Sequence, residues 1–310
     1  MAFTAKDVKA LREKTGVGMM ECKKALTEAD GDMDKAIDFL REKGLAAAAK
    51  KASRIAAEGV VLSYYDKDAK KGVVVEVNSE TDFVAKNEKF MDFVKGVAKT
   101  IVALDPADVE ALMACKYDST DKTVTEVLNE LILSIGENMK VRRFETMTGV
   151  AATYIHAGGS VGVMVGFDAD EAMLDNADFE EMGKDVAMQI AAMNPLYLDE
   201  ASVPADVIEH EKGILAIQLK EDPKMANKPQ QVIEKIAAGK MSKYFKENCL
   251  VEQEFVKATD HESVGKYVAG VAAKIGTEIK LNGFIRFAKG EGLEKREENF
   301  AEEIAKQING

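Results

Sequence analysis

The chain has 310 residues, with 42 lysines and arginines against 54 aspartates and glutamates, and its formal net charge is −12. Nucleic-acid binding depends on neutralising phosphates with basic side chains, so this charge argues against nucleic acid as a direct partner. An acidic surface remains suited to a basic patch on another protein.

Cysteine spacing and hydropathy argue against several further classes of protein. Cys22, Cys115 and Cys249 lie far apart without a CxxC pair, which argues against a sequence-evident zinc site, redox motif or disulfide scaffold. No apolar run reaches the roughly 20 residues of a membrane span, and the N-terminus lacks the apolar core of a signal peptide. We therefore expect a cytoplasmic protein that uses no membrane and no cofactor.

Residues 1–55 predict three short helices followed by an alanine-rich helical connector. A capping-box-like start at residues 4–7 opens the first helix, and residues 15–16 close it. The second helix ends at the turn of residues 30–31, and the third runs over residues 32–44. A three-helix unit of this size has a thin core and resembles the ubiquitin-associated type of bundle.

A diverged internal repeat occupies the next part of the chain. Residues 59–101 align with residues 149–190, and both copies contain a Gly-Val start, a central Gly-Val-x-Val run and a helix with apolar residues at helical spacing. Each copy predicts strand, turn, strand, tip and helix. The chain is therefore predicted to be α+β, with one core subdomain over residues 56–140 and a related one over residues 141–200.

Helical segments dominate the remainder. A helix over residues 131–139 is predicted between the two copies. Residues 201–247 predict an inserted antiparallel helical hairpin with prolines at both ends of its turn. Residues 248–288 add a helix and an alternating strand that complete the second core subdomain, and residues 289–310 form a charged C-terminal helical module.

Patterns for catalysis are weak. Residues 158–162 match the G-x-S-x-G pattern of hydrolase nucleophile elbows, but strand residues follow where that elbow needs a helix. The equivalent turn of the first copy, residues 68–72, has no serine, which favours a hairpin turn. His156, His210 and His261 are scattered along the chain, so we predict neither a metal site nor covalent chemistry.

A short polar turn after the second strand carries one large aromatic. Asp82 and Phe83 lie side by side at this predicted tip, between a buried-type strand and a helix. A tip of this kind is suited to pressing on another protein. A buried core aromatic stays open as an alternative, because the apolar stripe of Phe90 extends back to position 83 and the second copy has Met173 there.

Three long motifs, in order along the chain, are similar to those of the bacterial elongation factor Ts family: residues 11–26, 76–86 and 284–295. The resemblance implies a guanine nucleotide exchange factor for the GTPase elongation factor Tu in translation elongation. Such a factor binds the GDP-bound GTPase, disrupts its magnesium and phosphate site, and promotes GDP release so that GTP can bind. It performs no covalent chemistry of its own.

The resemblance also implies where the partner is contacted. The tip should enter near the magnesium and phosphate pocket, and the bundle around residues 16–24 should lie against the nucleotide-binding domain. The second-copy turn should contact another domain; it resembles the family's Tyr-x-His-Gly segment but reads Tyr-Ile-His-Ala. A helix after Gly292 should add a contact. The implied partner-binding residues are Asp82, Phe83, Thr81, Val84, Met19, Met20, Lys23 and His156.

Alternatives stay open for several of these features. Met19, Met20 and Cys22 are equally consistent with core packing in the bundle, since methionine suits both settings. The family's hairpin can mediate self-association, so a homodimer and a self-contained hairpin both remain. A ubiquitin-associated-type adaptor would explain only the bundle, and an enzyme would need a cluster of reactive groups that the sequence does not reveal.

Overall fold

The computed structural model describes residues 3–222 and 228–294. Within these ranges the chain is a mixed helix and sheet protein, as the α+β prediction requires, and the module predicted for residues 289–310 lies outside them from residue 295 onward. The helices are α1 (Ala5–Thr15), α2 (Met19–Glu28), α3 (Met33–Lys51), α4 (Asp82–Ala85), α5 (Glu88–Leu104), α6 (Val109–Ala114), α7 (Val124–Ile135), α8 (Ala177–Met193), α9 (Ala205–Glu221), α10 (Gln230–Asn248) and α11 (Val264–Ile275). The strands are β1 (Glu58–Asp66), β2 (Lys71–Ser79), β3 (Met139–Thr148), β4 (Val150–His156), β5 (Val161–Asp168) and β6 (Lys280–Ala288).

The first three helices pack around a small core of their own. α1 begins with a capping box, in which the Thr4 side chain accepts a hydrogen bond from the Asp7 backbone N–H, and it ends at Gly16 with a φ of 67°. The predicted start and end of this helix are therefore confirmed. The buried apolar side chains of the bundle are Val8, Leu11, Val17, Cys22, Ala25, Leu26, Ala29, Ala36 and Leu40.

The third helix is longer than predicted. Glycine commonly ends a helix, so the sequence predicts a stop at Gly44, but α3 continues to Lys51. A Cβ atom on Gly44 would lie 3.2 Å from the carbonyl oxygen of Asn129 in α7. The predicted end is wrong because this glycine lets two helices cross closely.

Two antiparallel three-stranded sheets form the centre, in the orders β1–β2–β3 and β4–β5–β6. One face of each sheet is covered by its own helices, α5, α6 and α7 on the first sheet and α8 and α11 on the second. Gly72 and Gly162, at equivalent places of the repeat, keep the other two faces close together. A Cβ atom would come 2.3 Å from Met164 Cε at Gly72 and 2.5 Å from Val61 Cγ1 at Gly162.

The structure extends the repeat beyond the predicted copies. The sequence predicts a helix over residues 131–139, but α7 ends at Ile135, Gly136 takes a left-handed conformation, and β3 follows. α11, Gly276 and β6 repeat this order in the second half. Because β3 pairs with β2, residues 141–148 lie in the first sheet, and the subdomain division stays a prediction.

α9 and α10 form a helical hairpin within the predicted residues 201–247, apart from the last residue of α10. Leu219 and Met241 are buried in it, whereas Ile217 is 60% exposed and Val232 is 38% exposed. The hairpin therefore leaves apolar side chains uncovered. Nowhere in the described ranges does a helix combine the length and apolar character that a bilayer crossing requires.

Candidate protein-interaction site

The predicted tip is α4, a single helical turn between β2 and α5. Phe83 on this turn is 79% exposed, so the alternative of a buried core aromatic is wrong. The equivalent residue of the second copy, Met173, is instead partly buried against the core of its own sheet. The first copy therefore exposes an aromatic side chain where the second copy packs a methionine against its core.

Lys86 organises the exposed end of the tip. Its ammonium donates a hydrogen bond to Asp82 at 2.8 Å and lies 6.0 Å from the centre of the Phe83 ring. This hydrogen bond is the main cause of a lowered pKa at Asp82, with further help from the charges of Lys86 and Lys289. The tip thus presents an aromatic ring flanked by one acidic and one basic group.

Two other residues of the predicted set hold the tip in place. Val84 is 6% exposed and packs into the core of the first sheet, so its side chain anchors the tip instead of facing a partner. Thr81 donates two hydrogen bonds to Glu137, from its N–H at 3.0 Å and from its hydroxyl at 2.7 Å. The tip therefore rests on one apolar anchor and one polar anchor.

Met19, Met20 and Lys23 are exposed on α2 and form what we call the methionine surface. Met19 is 51% exposed and Met20 is 74% exposed, so core packing is wrong for both. Core packing is right for Cys22, which is fully buried and whose pKa is raised by that burial. Exposed thioethers of this kind adapt to the shape of a partner.

The loop between α1 and α2 is fastened to the elements that carry the tip. The carbonyl oxygen of Gly16 accepts hydrogen bonds from Lys89 Nζ at 2.8 Å and from Ser134 Oγ at 3.0 Å. Lys89 lies in the first turn of α5, directly after the tip, and Ser134 lies in the last turn of α7. These contacts bring the methionine surface and the tip to the same part of the molecule.

His156 is exposed at the end of β4, and residues 157–160 form the hairpin turn predicted for the G-x-S-x-G segment, whose last two residues begin β5. The imidazole Nδ1 of His156 lies 3.1 Å from the Tyr154 hydroxyl. Ala157, where the family motif has glycine, takes a φ of 45°. This left-handed conformation costs an alanine about 1–2 kcal/mol, so the turn is strained at the residue next to the histidine.

The turn after His156 packs against the first sheet. The Val61 N–H donates a hydrogen bond to the Gly159 carbonyl oxygen at 2.8 Å. Val61 lies in β1, whose first residue, Glu58, pairs with Ser79 just before the tip. β1 therefore links the histidine turn to the base of the tip.

A buried ionic cluster beneath the site was not predicted from the sequence. Glu76 in β2 is fully buried and accepts hydrogen bonds from Arg142, Arg143, Asn78 and the Gly290 N–H. Burial alone would raise its pKa, but these hydrogen bonds outweigh burial and lower it. The sequence does contain one sign of this cluster, which is a single acidic residue within an otherwise apolar strand. A carboxylate buried in such a strand needs basic partners.

Metal chemistry has no residues to support it in residues 3–222 and 228–294, where no group of three or more histidine, cysteine, aspartate or glutamate side chains could hold an ion. The site consists instead of an exposed phenylalanine, exposed methionines and charged groups on a connected scaffold. This combination suits contact with another protein, since aromatic side chains and methionine are enriched where proteins meet.

Comparison with known proteins agrees with this character. The sequence model of the family described as Elongation factor TS matches residues 80–291. The chain is 49% identical to elongation factor Ts of Clostridium novyi (strain NT) over 310 residues, with 99% of each chain covered. It is 51% identical to elongation factor Ts of Clostridium perfringens (strain SM101 / Type A) over 307 residues, with 98% of each covered. The chain therefore belongs to the elongation factor Ts family.

Proposed function

We propose that this chain is the guanine nucleotide exchange factor of elongation factor Tu, acting in the cytoplasm during translation elongation. Family membership supports the partner, and the 79% exposure of Phe83 supports the mechanism. Full burial of a phenylalanine side chain is worth about 1.5–3 kcal/mol, which the isolated chain forgoes at this position. A partner surface that covers the ring would recover that free energy.

The mechanism follows from how a GTPase holds its nucleotide. Backbone and lysine contacts hold the phosphates, and a magnesium ion bridges the phosphate oxygens. Magnesium demands near-ideal octahedral geometry, so a small displacement of its surroundings weakens its binding sharply. Phe83, inserted near this pocket with Asp82, would supply the displacement without making or breaking a covalent bond.

Exchange-factor binding and GDP binding then oppose each other through one coupling free energy, which acts equally in both directions. Such couplings are typically about 1–3 kcal/mol. Because the bound factor weakens the binding of GDP to the GTPase, bound GDP must weaken the binding of the factor by the same amount. The nucleotide-free GTPase, still bound to the factor, can then take up GTP. Binding of GTP in turn displaces the factor.

Further contacts complete the proposal. The methionine surface, on the ubiquitin-associated-like bundle of residues 1–55, would lie against the nucleotide-binding domain of the partner. His156 would contact another of its domains, from a turn of the second core subdomain. The helical contact proposed after Gly292 lies outside the described residues from residue 295 onward. The proposal includes no direct contact with nucleic acid or membrane.

The test is release of fluorescent GDP from elongation factor Tu after addition of a small amount of this chain. We expect Phe83→Ala to slow stimulated release about fivefold or more, since couplings of this kind correspond to factors of about 5–150. Its thermal unfolding should match the wild type, because the ring is exposed.

Leu104→Ala is the matched control, because Leu104 is 53% exposed at the end of α5 and lies outside the proposed contact set. This variant should stimulate GDP release from elongation factor Tu at the wild-type rate. An unchanged rate for Phe83→Ala at equal concentration contradicts the wedge mechanism. Absence of any stimulation by the wild type contradicts the function itself.

We further propose that the hairpin of α9 and α10 mediates a homodimer. Its uncovered side chains, Ile217 and Val232, support this, because exposed apolar patches mark interaction surfaces. Sedimentation velocity should give a dimer for the wild type and a monomer for Ile217→Lys. A wild-type monomer at all accessible concentrations contradicts the dimer and favours the self-contained hairpin.

A further inference from the structure

Two glutamates cross at the base of the tip. Glu80, directly after β2, accepts a hydrogen bond from the Asn138 backbone N–H at 2.5 Å. In return Glu137 accepts hydrogen bonds from the Thr81 N–H at 3.0 Å and the Thr81 hydroxyl at 2.7 Å. The two segments lie more than fifty residues apart in sequence, and each contributes one carboxylate that accepts hydrogen bonds from the other segment. We call these four residues the clasp.

We infer that Glu80 and Glu137 are positioning residues whose reciprocal hydrogen bonds fix the direction in which Phe83 leaves the scaffold. The inference rests on the proposed exchange function and deepens it. Neither glutamate is assigned a contact with the nucleotide or with the partner. They act through the tip.

The tip needs such a device because it cannot hold its own shape. α4 has 4 residues, and an isolated helix of that length is unstable in water. Thr81 occupies the N-cap position yet makes no side-chain capping hydrogen bond, since its hydroxyl donates to Glu137 instead. Val84 and the partly buried Ala85 fix the second half of the turn in the core, and the direction of the turn also requires its first residues to be held.

The clasp is sheltered enough for its hydrogen bonds to matter. The side chain of Glu80 is 16% exposed and Asn138 is 8% exposed. Hydrogen bonds to charged groups are stronger than neutral ones, and partial burial strengthens them further. The Asn138 side chain also donates to the Arg54 carbonyl oxygen at 2.8 Å, and the Arg54 guanidinium lies 3.4 Å from Glu80. The clasp therefore also fixes the end of the connector that follows the bundle.

The second repeat provides an internal comparison. Asp170 occupies the place of Glu80, and this shorter acid caps its own helical turn by accepting the Ala172 N–H at 2.8 Å. Thr277, which has no carboxylate, occupies the place of Glu137. In this copy Met173 is partly buried against the core. The copy that has the clasp is the copy that presents an exposed aromatic.

The test measures GDP release from elongation factor Tu at saturating concentrations of the full chain. Glu137→Ala loses both hydrogen bonds to Thr81 and should slow release about tenfold, but no more than Phe83→Ala does, because it acts through the ring. Glu137→Gln should restore most of the rate, because its amide can accept from the Thr81 N–H and donate to the Thr81 hydroxyl. Glu145→Ala, an exposed glutamate of β3, removes the same charge and should leave the rate unchanged.

The decisive arm combines Glu137→Ala with Phe83→Ala. If the clasp acts through the tip, the double variant is no slower than Phe83→Ala alone. A further tenfold loss in the double variant, or a wild-type rate for Glu137→Ala, overturns the inference. Should Glu137→Ala fail to fold, Thr81→Val removes only the hydroxyl contact: slowed release supports the clasp, and a wild-type rate overturns it. An inactive wild type identifies failure of the proposed function before any variant is compared.

Discussion

Replacing Glu76 with glutamine tests the buried cluster that joins the two sheets. One carboxylate oxygen, Oε2, accepts from Arg142 at 3.0 Å and from Arg143 at 2.7 Å. In Glu76→Gln an N–H group can face these two donors, so two hydrogen bonds to charged groups are lost at about 1.5–3 kcal/mol each. Breaking a buried ion pair costs about 3–5 kcal/mol in other proteins. We therefore expect the free energy of unfolding to fall by about 3–5 kcal/mol.

Equilibrium urea unfolding followed by circular dichroism measures this change. Glu145→Gln, at an exposed position of the neighbouring strand, is the control and should stay within about 0.5 kcal/mol of the wild type. A loss below about 1 kcal/mol for Glu76→Gln would refute the reasoning, because desolvation of the carboxylate would then cancel its hydrogen bonds.

The stabilising effect of Glu76 should depend on pH, and the direction of this dependence follows from its lowered pKa. The folded pKa of Glu76 lies below its ordinary value, so the carboxylate stabilises the fold fully above pH 4.5. This contribution is lost as the pH falls through the folded pKa. The stability difference between the wild type and Glu76→Gln should therefore be constant near neutrality and shrink in acid. A difference that grows on acidification contradicts the assignment.

The remaining predictions concern backbone strain and the contact between the sheets. Ala157→Gly should raise the free energy of unfolding by up to about 1 kcal/mol, because glycine relieves the φ of 45°, while Ala69→Gly in the equivalent first-copy turn should lower it; equal losses in thermal unfolding would contradict the strain. Gly72→Ala should cost about 1–3 kcal/mol, because its Cβ would lie 2.8 Å from the Tyr64 carbonyl oxygen, whereas Gly283→Ala meets nothing nearer than 4.0 Å and should cost less than 1 kcal/mol in urea unfolding; similar costs at both sites would contradict the close packing.

Local patterns predicted the parts of the fold that local chemistry decides. The capping box of α1, the apolar stripe of α5 and the repeated strand pairs are all present, because each depends on neighbouring residues. The tip was recognisable for the same reason, as a polar turn with one aromatic between two apolar elements. Sequence alone left Phe83 undecided, since helical spacing from Phe90 also allows a buried position. The direction of a single turn depends on contacts far away in the chain.

Features that depend on distant segments were not predictable. Gly44 reads as a helix end until α7 is known to cross it. Glu137 carries no local signal of a link to Thr81, because the two residues meet only after β2 and β3 pair. β3 itself escaped prediction because Arg142 and Arg143 interrupt the alternation expected of a half-buried strand. The reason for that interruption lies in the pairing of the strand.

A bulge brings the two arginines to one acid. Glu76 pairs with Arg143, but the next residue, Val77, pairs with Val141, so Arg142 is the extra residue. Successive side chains of a regular strand point to opposite faces, and a bulge interrupts that alternation. Two consecutive arginines can therefore both reach Glu76. A charge pattern that looks unsuited to a strand is the pattern that a bulged strand requires.

The second sheet carries the same bulge with different side chains. Gly166 pairs with Gly283 and Phe167 with Leu281, which leaves Asn282 as the extra residue. There Asn282 lies over Gly166, where a Cβ atom would come 2.3 Å from its Oδ1, and the bulge has no buried acid. In the first sheet the Arg143 guanidinium instead lies 4.2 Å from the Phe287 ring of β6, and Glu76 accepts the Gly290 N–H. The repeat supplies the backbone geometry, and Glu76 together with Arg142 and Arg143 turns one of its two bulges into a link between the sheets.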